Sequence, residues 1–347
     1  MKIAYLVPYI AQSGPVNVVK YLCRELKKKH DVDVFYFKDI KSIEFPVKAN
    51  RIGFFEKIDF DAYDIIHSHG VVPDAYVWWH RKSIHKAKTV TTLHNYVKED
   101  FKYAYNPMKA FLLEKVWNIV TSKHDQIVTL SKDAVKYYQK FWKNKKLDYV
   151  YNGIPSDVDI LVHEKQFDKD NLIKIGVIGS GDITKRKGFD QVVQALKYLK
   201  NYSFYIAGTG QQVENLKQLA KEYGVEERVF FTGFQKNIAL FIDAMDLFVV
   251  PSRSEGFSLA LQEIARQKKP VVCSNIPIFQ ELFSKEEVIY FELENINDLC
   301  SAIEAINEKK DSYGEKIFQK FNNTYTSAVM ADHYLMLYSR IIKDGSK

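Results

Sequence analysis

Apolar runs of strand length alternate with stretches of helical periodicity along almost the whole chain, and they do so in two series. The first series has strand-like runs at 2–9, 32–37, 64–67, 88–93, 126–130 and 147–151, with helical patterns at 74–82, 106–122 and 132–142. Its first run leads into a helix that places Val18, Val19, Leu22, Cys23 and Leu26 on one face. A mostly polar, aperiodic stretch at 153–172 reads as a linker, and a second series follows. Its strands fall at 173–178, 203–207, 229–232 and 246–250, and its helices at 187–200, 211–223 and 237–244. Parallel neighbours need a long crossover, which a helix supplies, so this alternation dictates doubly wound parallel sheets. Two Rossmann-like α/β domains are expected, an N-terminal one at 1–155 and a C-terminal one at 165–320. A length of 347 residues fits that count, and 46% hydrophobic with 14% aromatic residues is ample for two cores.

Charge separates the halves. Residues 1–155 hold 26 Lys+Arg against 16 Asp+Glu, a net of +10, whereas residues 156–347 hold 24 against 27, a net of −3. The basic half fits an anionic partner, either a membrane surface or a phosphorylated substrate, and fits equally a Lys-rich solvated face. Cys23, Cys273 and Cys300 are odd in number and set among apolar neighbours, which reads as buried reduced thiols of a cytosolic protein. Pro8 ends the first apolar run before it reaches signal-peptide length, and no stretch attains the ~18 apolar residues of a span. A soluble or peripheral protein is expected.

The most informative segment is 246–281, read as strand, tight loop, helix, strand and loop. The apolar run stops at Pro251, a polar loop from Ser252 to Gly256 follows, and a helical pattern begins at Phe257. The first N–H groups of a helix have no intrahelical partners and sit at the positive end of its dipole. The backbone from Gly256 through Phe257 and Ser258 to Leu259 can therefore hold a phosphate, and Gly256 removes the Cβ that would obstruct it. Glu263 would lie about 10 Å along that helix at roughly 1.5 Å per residue, where its carboxylate could clamp a sugar diol. Glu255 would face the other end of the same ligand. Taken singly, Glu255 caps the helix and Glu263 is a solvated surface acid.

Taken together, the strand, the glycine loop and two acids spaced E-x7-E resemble the donor-nucleotide motif of retaining GT-B glycosyltransferases of the family 4 type. That resemblance implies two Rossmann-like domains facing across a cleft, with the terminal helical pattern at about 325–347 packing back on the first domain. It assigns Glu255 to the transferred sugar and Glu263 to the ribose. Further positions carry it along the chain. Ser13-Gly14 occupies the place of the family's Gly-Gly loop, with Ser13 a departure from it. His94, just past a strand end where open α/β sheets bind ligands, stands where the family carries a histidine against the transferred sugar. Asn95, Tyr96 and His69 are expected on the acceptor side, and His67 is expected to be structural. Asn152-Gly153 resembles the family's hinge motif and by its own chemistry is a turn with positive φ.

The glycine-rich run from Gly179 to Gly188 opens a helix and carries Lys185, Arg186 and Lys187, a plausible diphosphate clamp. The family's usual arginine position is Asp182 here, so the clamp is assigned to Lys187 and Arg186. Gly208 resembles the family's strand-end Gly-x-Gly, and Gly233-Phe234 its segment near the nucleobase.

No metal or other cofactor is expected. Two histidines at 67 and 69 without a third ligand make a poor zinc site, and the Asp31/Asp33 and Asp157/Asp159 pairs lie at a strand entry and in the linker. Two basic-aromatic stretches, 101–117 and 136–146, have the composition of a helix on anionic lipid, and equally of a half-buried helix with a basic outer face. No nucleic-acid motif accompanies them, so no nucleic-acid partner is expected. The resulting expectation is a metal-independent, retaining glycosyltransferase in bacterial envelope polysaccharide synthesis. It would move a sugar from a nucleotide-diphosphate donor, UDP-hexose by family frequency, to a lipid-linked or oligosaccharide acceptor. It would work in the cytoplasm, peripheral at the inner membrane. A GT-B nucleotide-sugar epimerase and a non-catalytic partner subunit are the alternatives. A nicotinamide dehydrogenase is disfavoured, because neither first turn carries a full G-x-G-x-x-G.

Overall fold

The computed structural model describes residues 1–98, 106–142, 146–157, 171–182 and 185–344, with backbone only at 180–182. The chain divides into two compact units, Met1–Pro155 with Thr326–Lys347, and Ser156–Tyr325.

The first unit is built on a seven-stranded sheet in the order β3-β2-β1-β4-β5-β6-β7. Its strands are β1 Lys2–Val7, β2 Asp31–Tyr36, β3 Ala49–Arg51, β4 Ile65–Ser68, β5 Lys88–Thr92, β6 Gln126–Thr129 and β7 Leu147–Tyr149. Every pairing is parallel. Ile3 through Val7 are all fully buried, as a central strand covered on both faces requires. The crossovers include α1 Gly14–Leu26, α2 Val71–His80, α3 Pro107–Thr121 and α4 Lys132–Gln139.

The second unit has six parallel strands in the order β10-β9-β8-β11-β12-β13. They are β8 Ile173–Asp182, β9 Tyr202–Thr209, β10 Val229–Gly233, β11 Leu247–Val250, β12 Val271–Ser274 and β13 Ile289–Phe291. Around them lie α5 Phe189–Ala195, α6 Gln212–Glu222, α7 Ile238–Asp243, α8 Leu259–Arg266, α9 Pro277–Leu282, α10 Ile296–Glu308 and α11 Lys310–Thr324. One core joins Ile175, Val177, Phe204, Leu247 and Val272 of the sheet to Val192 of α5 and Ile303 of α10.

The last helix, α12 Ser327–Asp344, belongs to the first unit. The Ser327 N–H donates to Ile154 O at 2.8 Å, and Tyr338 packs its hydroxyl 3.0 Å from that of Tyr5 on β1.

Several expectations need correction. Gly153 is not a positive-φ turn residue. A Cβ there would lie 2.2 Å from Thr326 O, so glycine is required by the close approach of α12. The segment after β12 is a helix, α9, with Pro277 in its first turn, rather than a loop. The helix after Gly256 begins at Leu259 and not Phe257, because Ser258 is extended and its hydroxyl caps the Leu261 N–H. In the second basic-aromatic stretch, Tyr138 and Trp142 are buried and stacked in the core, while Lys143 and Lys145 lie outside the described residues. Residues 101–105 of the first stretch and Asp159 also lie outside them.

Candidate active site

The second unit gathers its charged groups at the carboxyl end of β11. Pro251 ends that strand, and Gly188 makes the neighbouring backbone fit. Its φ is +70°, and a Cβ would meet Pro251 O at 2.0 Å. That approach delivers the 3₁₀ turn Lys185–Lys187 onto the loop between β11 and α8. There Lys187 Nζ donates to Glu255 Oε1 at 2.7 Å, and Ser252 Oγ donates to the same oxygen at 2.8 Å.

The Lys187 and Glu255 side chains are only 13% and 6% exposed, so neither charge is screened by bulk water. Burial works to raise the Glu255 carboxyl. Lys187, Arg186 and the two hydrogen bonds outweigh it and hold the group below the usual carboxylate range. The result is an ionised carboxylate tied to a lysine, with Arg186 adding to the positive field.

Further residues of the same loops position this pair. Arg253 binds both oxygens of Asp190, at 2.9 and 2.8 Å, and also holds Glu294. Its backbone N–H donates to Arg186 O at 2.8 Å, and its guanidinium to Lys185 O at 2.6 Å. Buried Gln191 donates from Nε2 to Pro251 O at 3.0 Å, and Ser274 Oγ donates to Ser252 O at 2.6 Å. Arg253 is thus committed within the protein. Its neighbour at 255 was the visible signal, since a loop carrying two opposite charges needs internal partners.

The other expected donor-side residues are distributed as follows. Gly179 and Gly208 pack backbone to backbone, with Gly208 at φ +135° and 2.4 Å between its would-be Cβ and Gly179 O. Gly233 closes β10 at φ +68° with open space around it, and Phe234 beside it is exposed. Gly256 is buried, and Phe257 packs edge-on against Tyr325. Glu263 lies one turn into α8, about 6 Å from its start rather than 10. It is half-buried, and burial pushes its carboxyl up to about 7 while Arg266 pulls the other way.

The first unit gathers histidines at the carboxyl ends of β4 and β5. His69 Nδ1 lies 2.8 Å from His94 Nε2, and the His67 and His69 rings are 4.2 Å apart. His67 bonds the Tyr338 hydroxyl at 2.7 Å and the Thr92 hydroxyl at 2.8 Å, and Thr92 in turn meets Tyr334 at 2.9 Å. Helix α12 is therefore wired to the strand ends. Burial drives His94 down to about 3 and, with neighbouring histidines adding to it, holds His67 and His69 well below their ordinary value. All three are neutral at physiological pH.

The loop beyond His94 is held by Tyr138, whose hydroxyl donates to Asn95 O at 2.6 Å and accepts from Val97 N at 3.1 Å. Asn95 itself is exposed, and Tyr96 donates to Asp133. Gly14 opens α1, and Ser13 Oγ and His69 Nε2 are buried without a hydrogen-bond partner among the described residues. Among the described residues, no three His, Cys, Asp or Glu side chains converge as metal ligands.

Residues 12–158 match the family described as Glycosyltransferase Family 4, and residues 163–319 that described as Glycosyl transferases group 1. Over 99% of both chains the sequence is 34% identical to the O-antigen biosynthesis glycosyltransferase WclY of Escherichia coli. Among solved structures, Anabaena HepE in complex with UDP and glucose matches with a TM-score of 0.79 at 16% identity, over 98% of this chain and 99% of that one. The sucrose-phosphate synthase of Thermosynechococcus elongatus matches with 0.79 at 19% identity over 99% of each chain.

Proposed function

The chain belongs to the family 4, group 1 glycosyltransferases, with their GT-B fold, and from that premise we propose a retaining transferase that moves a sugar from a nucleotide-diphosphate donor to a saccharide of the bacterial envelope. The donor is a UDP-hexose and the acceptor a lipid-linked intermediate at the cytoplasmic face of the inner membrane. The observation that carries this reading is the Lys187–Glu255–Ser252 cluster at the carboxyl end of the second sheet, beside the N-terminus of α8. Support for the donor class comes from HepE, solved with UDP and glucose, and for the acceptor class from WclY, an O-antigen enzyme.

In this mechanism the bond between the anomeric carbon and the diphosphate oxygen breaks as negative charge grows on the leaving group. Lys187, with Arg186 beside it, meets that charge in a water-poor setting, and the free N–H groups at the start of α8 add to it. Glu255 holds Lys187 in place. The acceptor hydroxyl attacks from the face that the diphosphate leaves, so configuration is retained, and its proton passes to the departing phosphate oxygen. Neutral His94, supported by His69, offers a hydrogen bond to the sugar without adding charge. Glu263 takes the ribose. Cationic side chains serve in place of a divalent metal, so chelation should leave the rate unchanged.

A panel of nucleotide sugars scored for nucleotide release, with and without cell-envelope lipid extract, tests the reading. One UDP-sugar should be consumed faster with extract, giving a product of the donor's anomeric configuration. Inverted product would remove the retaining mechanism, and donor turnover that needs no acceptor would point to an epimerase.

A further inference from the structure

Helix α3 carries apolar residues on both its inner and its outer face, yet only the inner one is covered. Ala110, Trp117, Val120 and Thr121 face inward and are buried. Met108, Phe111, Leu112, Val116 and Ile119 lie on the opposite face and are 55–76% exposed. A surface helix normally turns polar groups outward, and an apolar patch of this kind marks a contact surface. The charges around it are mainly positive, with Glu114 the one acid on the helix. Lys109 and Lys115 flank the stripe, with Lys115 Nζ folded over the Phe111 ring at 4.4 Å. Just past the helix, Lys123 lines a cavity of about 210 Å³ together with Arg81, Lys88 and one acid, Asp125.

We propose that the outer face of α3 is the surface by which this enzyme lies on an anionic bilayer, its apolar side chains entering the acyl boundary and its lysines reaching the headgroups. This deepens the membrane-borne acceptor reading given above and rests on it. The charge pattern selects the occupant. A second copy docked on the same face would oppose two surfaces of net positive charge, whereas acidic headgroups complement that charge, and long cationic side chains over apolar rings are suited to an interface. No helix among the described residues is long and apolar enough to cross a membrane, so the contact is peripheral.

Flotation of the full chain with vesicles of mixed phosphatidylglycerol and phosphatidylcholine tests this. Wild type should bind at low salt and much less to phosphatidylcholine alone. The triple change Phe111→Ser, Leu112→Ser and Val116→Ser should weaken binding at least about ten-fold, since each buried apolar group contributes. Lys109→Gln with Lys115→Gln should weaken it at low salt and matter little at about 1 M, where the Debye length is roughly 3 Å. All these side chains are exposed, so both variants should keep the wild-type circular dichroism and their UDP-sugar turnover on a soluble acceptor. Wild type that ignores anionic vesicles, or a triple variant that binds them undiminished, overturns the proposal. So does a dimer in sedimentation that the triple change dissolves. Loss of sugar transfer to every acceptor with vesicle binding intact would instead strike the proposed reaction and leave this surface standing.

Discussion

The two units place their polar groups alike, at the carboxyl ends of parallel strands, but keep them in opposite electrostatic states. In the first, burial strips the charge from His67, His69 and His94 and leaves neutral imidazoles linked to tyrosine and threonine hydroxyls. In the second, buried Glu255 is paired with half-buried Lys187, and Arg253 is braced between two carboxylates. Burial alone does not decide protonation; the partner supplied at close range does. On the reading proposed above, neutral groups suit the hydroxyls of a sugar and charged groups suit a diphosphate.

Acid should break the first unit while sparing the second. The histidines have folded pKa values below the unfolded value of about 6.5, so their stabilisation is complete above that pH and is lost as pH falls. Each contributes about 1.4 kcal/mol per pH unit while it stays neutral in the fold. Between pH 7 and 5 the described residues of the second unit carry no such penalty. Glu255 has a lowered pKa and stays ionised, and Glu263, raised to about 7, is relieved by protonation. Hydrogen exchange resolved by peptide should show β4 and β5 opening first at pH 5. Equal protection in both units would contradict the contrast.

The converse experiment acts on the second unit. Lys187→Ala strands Glu255 in a site that is 5% exposed, at a cost of about 3 kcal/mol, and Glu255→Gln in the same chain should recover much of it. Denaturant melts of the single and double variants measure the difference. No loss in the single variant would mean that water replaces the lysine without penalty.

Arg253→Lys should be milder. A lysine cannot hold Asp190 bidentately and Glu294 together, so the 185–187 turn loosens and turnover falls about ten-fold with the nucleotide still bound. A fall in affinity alone would instead make Arg253 a ligand group. The smallest effect concerns Glu263. If the ribose selects its carboxylate, affinity for a nucleotide sugar should rise about ten-fold from pH 6 to pH 8, and Glu263→Gln should flatten that rise. A flat wild-type profile would remove Glu263 from the donor site.

The sheets were legible in the sequence because buried parallel strands are continuous apolar runs. The strands at 49–51 and 289–291 were not; Ala49-Asn50-Arg51 carries no apolar run at all. Helix α11 was passed over because polar residues outnumber its apolar stripe, and α9 because six residues are too few to show a helical period. At the site, Lys187 and Glu255 were legible as charge types near a glycine loop. Their contact was not, since it depends on Gly188 admitting Pro251 across a sequence separation of 63 residues. The 136–146 stretch was left between two readings for a physical reason. Lysines at 136 and 140 point out while Tyr138 and Trp142 point in, and composition cannot tell a helix's two faces apart.

The central claim is that Lys187 answers charge that grows as the donor breaks. Single-turnover transfer and nucleotide-sugar binding, measured side by side for wild type and Lys187→Ala, test it most directly. Loss of one such electrostatic donor should lower the transfer rate about a hundred- to a thousand-fold, with donor affinity changed far less. A variant that transfers at near the wild-type rate would contradict the account and put the charge that serves the leaving group elsewhere in the second unit.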